Sequence, residues 1–76
     1  MAVTYNFSVV LEPQAEGGFT VLVPALPEVV TEGNSEEEAL ANAGEAIRAI
    51  IAYRQDNGIP IPSDAHPQIR RVSVAA

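Results

Sequence analysis

The sequence predicts a small α+β fold with the element order β-β-β-α-β, in which one long helix packs on an antiparallel three-stranded meander and a last strand follows. Two segments near the N-terminus alternate apolar and polar residues, a capping signal opens a long amphipathic segment, and a proline-rich stretch separates this segment from a final apolar run. The chain has 76 residues, so we expect a single domain that covers residues 1–76.

The three meander strands are predicted from period-two alternation and from the turn residues between them. Tyr5 to Glu12 places every second residue on one face, and residues 13–18 form a turn whose two glycines allow positive φ. Phe19 to Val23 resumes the alternation, which predicts a hairpin with a longer loop. Two prolines then mark an irregular connection, and Val29 to Glu32 is a short third strand that ends at a glycine.

A long helix over residues 36–57 is the strongest local prediction. Ser35 and Glu38 form a capping box, and three consecutive glutamates place negative charge in the first turn, where the helix dipole favours it. Asn57 and Gly58 stop the helix. The apolar stripe of this helix faces the apolar faces of the strands, which predicts a core that contains Leu40, Ile47, Ile50 and Phe19.

The segment after the helix is predicted to be an extended, proline-rich connector over residues 59–67, followed by a last strand from Ile69 to Val74. A chain this short buries only about 60% of the surface that its unfolded form exposes. We therefore expect a homodimer or a higher homo-oligomer, and the last strand is the element best placed to cross a subunit boundary.

Charge and composition exclude several classes of function. Lys+Arg total 4 against Asp+Glu 10, which gives a net charge of −6, and there is no lysine. Nucleic-acid binding needs clustered positive charge, so we expect no direct contact with nucleic acid and a basic partner surface instead. The N-terminus lacks the features of a secretory signal, and no apolar run reaches the ~18 residues of a membrane span. These features predict a cytoplasmic protein that does not bind membranes.

The inventory of catalytic groups is poor, so we expect no enzyme, no catalytic residues, no metal and no cofactor. His66 is the single histidine and lies in the proline-rich connector without a second ligand at metal spacing. Of the two aspartates, Asp56 lies at the end of the predicted helix and Asp64 lies in the proline-rich connector. Residues 36–38 are adjacent on a helix and point in different directions, so they cannot form one metal cage.

Four glutamates at the ends of the predicted strands are candidates for binding a partner protein. Two flank the first hairpin loop and two flank the third strand, where they either form a solvated acidic surface or face a basic partner. These candidate partner-binding residues are Glu12, Glu16, Glu28 and Glu32.

An ordered set of short motifs over about residues 5–62 resembles the HicB antitoxin family. The motifs include Glu16-Gly17-Gly18-Phe19, Pro24-Ala25-Leu26-Pro27 and Thr31-Glu32-Gly33-Asn34-Ser35. The resemblance implies a partial RNase H-like fold and an antitoxin that blocks HicA, a small basic mRNA interferase with a catalytic histidine. Many family members also carry a C-terminal DNA-binding domain, which we do not expect in this sequence of 76 residues.

Three functions compete at this stage. The first is an antitoxin that neutralises a HicA-like toxin by steric and charge complementarity. The second is a nuclease that retains a minimal RNase H-like site, and the third is a stand-alone oligomeric binding module with another partner. The reading frame beside the gene distinguishes the first from the third, and metal-dependent cleavage of RNA by the purified protein would establish the second.

Overall fold

A computed structural model describes residues 3–76 and contains three strands followed by one long helix. The strands are β1 (Val10–Pro13), β2 (Phe19–Leu22) and β3 (Val30–Gly33), and the helix is α1 (Glu36–Asp56). The strands pair antiparallel in the order β1-β2-β3, and α1 packs on one face of the sheet. The predicted α+β meander with one covering helix is therefore confirmed.

The turn between β1 and β2 fixes the register of the hairpin. The carbonyl of Gln14 accepts from the amide of Gly17 at 3.0 Å, and the amide of Gln14 donates to the carbonyl of Gly18 at 3.0 Å. Both glycines have positive φ, +100° and +82°. This pattern is a tight turn followed by a G1 bulge, which only glycine accommodates without strain. It places Pro13 opposite Phe19 and sets every later pair of the hairpin.

The core consists of two small clusters between the sheet and α1. The first contains the buried side chains of Val21, Ala39 and Ala43. The second lies beyond the end of β2 and contains Val23, Leu26 and Val29, of which Leu26 is completely buried. Alanines on the inner face of α1 allow the helix to approach the sheet closely. The half-buried side chains that pack around the clusters are Phe7, Val9, Leu11, Phe19, Ala46, Ile47 and Ile50.

The core prediction was wrong for Leu40, whose side chain is 42% exposed. Ala39 and Ala43, which are four residues apart, face the sheet, and Leu40 lies about 100° around the helix from Ala39. The three other predicted core residues, Phe19, Ile47 and Ile50, pack against the clusters and are half-buried.

Both ends of α1 carry the predicted caps. The hydroxyl oxygen of Ser35 accepts from the amide of Glu38 at 3.1 Å, and the Glu38 carboxylate accepts from the amide of Asn34 at 3.2 Å. At the other end, Gly58 has a φ of +63°, and the amide of Ile59 donates back to the carbonyl of Arg54 at 2.8 Å. This arrangement is a Schellman motif, which satisfies the last carbonyls of the helix.

The first strand is shorter than the predicted segment from Tyr5 to Glu12. The strand β2 ends at Leu22, which lies opposite Val10, so the residues before Val10 have no strand beside them. Ser8 instead bonds to the connector: its amide donates to one carboxylate oxygen of Asp64 at 2.7 Å, and its hydroxyl donates to the other at 2.8 Å. A side-chain clamp, and not sheet pairing, therefore holds the segment before β1.

The predicted last strand is absent from the chain as the structure describes it. Residues 69–74 belong to no sheet, and Ile69, Val72 and Val74 are between 82% and 85% exposed. The clamp at Asp64 holds the connector, and the segment beyond it leaves the body without reaching a sheet edge. The radius of gyration of 14.8 Å exceeds the roughly 11 Å of a compact chain of this length, and the longest dimension is 52 Å.

Candidate functional site

One face of the sheet is not covered by α1, and the strand register builds it from two rows of side chains. In the first row Val10 lies opposite Leu22, and Leu22 lies opposite Val30. These residues alternate with Leu11 and Val21, which face the helix, so their side chains point away from it. Leu22 and Val10 are half-buried, and Val30 is 60% exposed. The uncovered face therefore has an apolar row across all three strands.

The second row lies beside the first and is acidic at both ends. Glu12 pairs with Thr20, and Thr20 pairs with Glu32, so two of the four predicted glutamates share this face. The side-chain amide of Gln14 donates to the hydroxyl of Thr20 at 2.9 Å and to the carbonyl of Glu12 at 3.1 Å, which ties the row to the turn. Below, "open sheet face" means these two rows: Val10, Leu22, Val30, Glu12, Thr20 and Glu32.

The carboxylates of Glu12 and Glu32 are exposed, and neither forms an ion pair or hydrogen bond with another described residue. The backbone carbonyl of Glu32 accepts from the side-chain amide of Asn42 at 2.8 Å, which fastens β3 to α1 but does not involve the carboxylate. Two unneutralised negative charges on opposite edge strands, with an apolar row beside them, suit a partner whose surface is basic around an apolar contact.

Glu28 does not belong to the open sheet face. Its carboxylate accepts from the guanidinium of Arg54 at 2.7 Å, and this hydrogen bond is the main reason that the pKa of Glu28 lies below its usual value. The same guanidinium donates to the carbonyl of Pro60 at 3.0 Å. Arg54 thus links the loop before β3, the end of α1 and the connector. Glu28 serves this link, and its charge is already paired.

Glu16 lies in the exposed turn of the hairpin, between Gln14 and Gly17. The turn follows Glu12 and Pro13 along the chain, at the end of the sheet that also carries the acidic row. The structure therefore places two of the four glutamates on one face, one in the adjoining turn and one in an internal ion pair.

Outside this face, the side chains of the described residues that could take part in catalysis or metal binding are dispersed. His66 is exposed in the connector, and Asp64 is held by Ser8, whose amide and then hydroxyl lower the pKa of that carboxyl. Within residues 3–76 no three side chains of the metal-binding types converge. No helix in that range is long and apolar enough to cross a bilayer. The arrangement suits a protein-binding surface better than a reaction centre.

Sequence reasoning missed the apolar row of the open sheet face. Val10 and Leu22 occupy the outer positions of their alternating segments, which is the signal that could have found them. Their alignment with Val30 depends on the register, and the register depends on the bulge at Gly17, which sequence patterns do not specify to the residue.

Comparisons with known proteins point to one family. The family model described as "HicB_like antitoxin of bacterial toxin-antitoxin system" matches residues 6–75. Antitoxin HicB 1 of Photorhabdus laumondii is 47% identical over 59 residues, which are 75% of this chain and 38% of that protein. A UPF0150 protein of Thermoplasma acidophilum is 38% identical over 64 residues, which are 84% of this chain and 93% of that protein.

A UPF0150 protein of a Synechocystis strain is 33% identical over 60 residues, which are 79% of this chain and 76% of that protein. The chain thus spans about two fifths of the length of the Photorhabdus antitoxin but nearly the whole length of the Thermoplasma protein.

Proposed function

Because this chain belongs to the HicB-like antitoxin family of bacterial toxin–antitoxin systems, we propose that it binds and blocks a small, basic, HicA-like mRNA interferase. The open sheet face is the proposed contact surface. The observation that carries this assignment is the pairing of Glu12 with Thr20 and of Thr20 with Glu32, which sets two free carboxylates beside an apolar row.

The charge of the whole chain supports a basic partner. Its net charge is −6, and an enzyme that binds RNA needs a positively charged surface. Complementary charge raises the rate at which two proteins meet, whereas desolvated apolar contacts at the centre of an interface slow their separation. The acidic row supplies the first property and the row of Val10, Leu22 and Val30 supplies the second.

The proposed role is binding without catalysis, in the cytoplasm and as a homodimer or higher homo-oligomer. Inhibition would be steric: the bound antitoxin covers the RNA-binding surface of the toxin. The chain itself would contact neither nucleic acid nor a membrane, which is consistent with ten acidic residues against four arginines.

Co-expression tests this proposal most simply. The basic reading frame beside the gene is expressed in a bacterial host with and without this chain, and growth and co-purification are scored. We expect the neighbour alone to arrest growth, and the pair to grow and to co-purify. An arrest that this chain does not relieve, together with no co-purification, would overturn the proposal and favour a binding module with a different partner.

Val30→Asp tests the surface within the same assay. Val30 is 60% exposed, so the substitution places a negative charge in the apolar row, the third on the open sheet face, without opening a cavity in the core. We expect rescue and co-purification to be lost while the circular dichroism spectrum keeps its helical signal. The matched control is Leu40→Asp on the outer side of α1, where the leucine is 42% exposed and rescue should persist.

A further inference from the structure

Two extended segments at opposite ends of the chain carry most of its exposed apolar side chains. Nine large hydrophobic residues are exposed in the described structure, and five of them lie in residues 3–5 and 69–74. The five are Val3 (72% exposed), Tyr5 (40%), Ile69 (85%), Val72 (85%) and Val74 (82%). Neither segment belongs to a strand of the sheet. Unpaired extended backbone with apolar side chains is the usual substrate for strand pairing between chains.

The N-terminal segment, residues 3–7, forms one wall of an open groove. Its opposite wall is part of α1 between Gly44 and Gln55, including Ile47 and Ile51, and the groove has a volume of about 630 Å³. The rings of Tyr5 and Phe7 stack along this wall with centroids 6.5 Å apart. The groove therefore has a mixed lining, in which Thr4, Asn6, Arg48 and Gln55 lie among apolar side chains, next to a backbone that lacks a strand partner.

The C-terminal segment, residues 69–74, has the composition of a strand but lies outside the body. Val72 and Val74 are two residues apart, so in an extended chain they lie on the same side. The two side-chain hydrogen bonds that the structure gives Arg70 join it to Gln68 and Ile69, which are local contacts. None of the residues that line the groove comes from this segment, although Asp64 is fastened to Ser8 close to it.

Charge favours contact between the tail of one copy, residues 69–76, and the body of another, residues 1–68. All ten acidic residues lie in residues 1–68, together with two arginines. Residues 69–76 hold the other two arginines, Arg70 and Arg71, and no acidic residue. A positively charged tail that projects from a strongly negative body is attracted to a second body, whereas two bodies without tails repel each other.

We propose that two copies exchange their C-terminal segments. Residues 69–74 of each copy pair as a strand with the extended segment 3–7 of the other and place Val72 and Val74 in its groove. The strand that the sequence predicts and the single chain lacks then forms between subunits. The contact is reciprocal, as expected for a two-fold dimer. This inference rests on the proposed self-association and is independent of any toxin.

Light scattering on the purified full-length chain at micromolar concentration tests the exchange. We expect a mass of twice the 8.0 kDa of one chain for the wild type. The double variant Val72→Asp with Val74→Asp should fall to 8.0 kDa with an unchanged helical signal, since both side chains are exposed in the single chain. The control is Val30→Asp, which makes the same change at an exposed valine outside the groove and should remain dimeric.

Cross-linking identifies the segments in contact, because the chain has no cysteine of its own. Thr4→Cys and Ser73→Cys are prepared as separate variants, mixed and oxidised. We expect a disulfide-linked species that contains one chain of each variant, and little product when Thr4→Cys is mixed with an Ala52→Cys control on the outer side of α1.

The outcomes separate the strand exchange from self-association itself. A monomeric wild type overturns both. A Val72/Val74 double variant that stays dimeric overturns the exchange and leaves another dimer interface. A further variant carries both Thr4→Cys and Ser73→Cys in one chain. If it forms only an intramolecular disulfide, the exchange is also overturned, because the tail then fills the groove of its own chain. None of these results depends on toxin neutralisation, so the proposed antitoxin function is tested separately.

Discussion

At the scale of single residues, the completely buried large side chains are Leu26, Val21 and Val23, none of which belongs to the helix. Leu26 lies in a loop that the prolines around it mark as irregular, yet it is 0% exposed and lies at the centre of one core cluster. Its amide donates to the carbonyl of Val23 at 2.9 Å, and its carbonyl accepts from the amide of Val29 at 2.9 Å. Two successive turns thus insert a loop leucine into the core.

Leu26→Ala should lower the free energy of unfolding by about 2–5 kcal/mol, the usual cost of removing a large buried side chain and leaving a cavity. Leu40→Ala is the matched control, because the same change at a side chain that is 42% exposed should cost less than about 1 kcal/mol. Urea denaturation of the two variants measures both values. Equal losses would mean that the loop is not part of the core.

A second single residue, Asp64, makes the free energy of unfolding depend on pH. The amide of Ser8, and next its hydroxyl, hold the pKa of Asp64 below its ordinary value in the folded protein. The folded state therefore keeps this group charged where the unfolded chain would bind a proton. Its contribution to stability is complete above the ordinary aspartate pKa of about 3.9 and is lost as the pH falls through the lowered value.

Asp64→Asn should therefore reduce stability near neutral pH and flatten the decline in the unfolding midpoint between about pH 5 and about pH 2. Ser8→Ala removes the hydroxyl but keeps the amide donor, so its pH profile should lie between those of the wild type and Asp64→Asn. Thermal unfolding across this range checks both. Identical slopes in all three proteins would show that the clamp does not form in solution.

At the scale of elements, two glycines have opposite roles in α1 and the strand before it. A Cβ built on Gly33 would overlap the backbone nitrogen of Ala39, so only glycine lets the start of the helix lie against the end of β3. Gly44 has open space around the position of a Cβ and lies in the helix interior, where glycine costs about 1 kcal/mol relative to alanine.

Gly44→Ala should raise the free energy of unfolding by up to about 1 kcal/mol, whereas Gly33→Ala should lower it because the backbone must move apart. Chemical denaturation of the two variants measures both changes in the free energy of unfolding. A destabilised Gly44→Ala variant would contradict the open groove beside this part of α1.

Local sequence signals predict the hairpin and the helix. They do not predict which strands pair when the segments are far apart in the sequence. Gly17, Gly18 and Ser35 act on their nearest neighbours, so their effects are readable in sequence. Whether residues 5–9 or 69–74 pair depends on which sheet edges lie beside them, and an alternating pattern alone cannot show this. The segment 69–74 has the right composition for a strand and no edge within its own chain.

The same distinction applies to the candidate site. The acidic character of the strand ends could be predicted from composition, but the structure separates the four glutamates into different roles. Arg54 neutralises Glu28 across 26 positions of sequence, a contact that no local pattern reveals. Glu12 and Glu32 share a face because both pair with Thr20, which follows from the register and not from their spacing.

At the scale of the whole molecule, the proposed capture of a basic partner depends on net charge. Net charge and the free carboxylates of the open sheet face act over roughly 10 Å at ordinary ionic strength, so their effect should appear mainly in the association rate and should weaken as salt rises. The apolar row of the face acts only on contact and should govern dissociation.

The most direct test measures association of the proposed toxin partner, purified from the neighbouring reading frame, with this chain by stopped-flow or surface-based kinetics, at low and high salt. The test variant is Glu12→Arg with Glu32→Arg on the open sheet face. The control is Glu45→Arg with Asp56→Arg, which changes the net charge equally at exposed positions of α1.

Reversing the two glutamates of the open sheet face should slow association about ten-fold or more at low salt, with a difference that shrinks at high salt. The control should lose much less, because its charges lie away from the contact. Equal association rates for the wild type and the Glu12/Glu32 variant at both salt concentrations, or equal losses in both variants, would contradict the assignment of the open sheet face as the surface that captures the toxin.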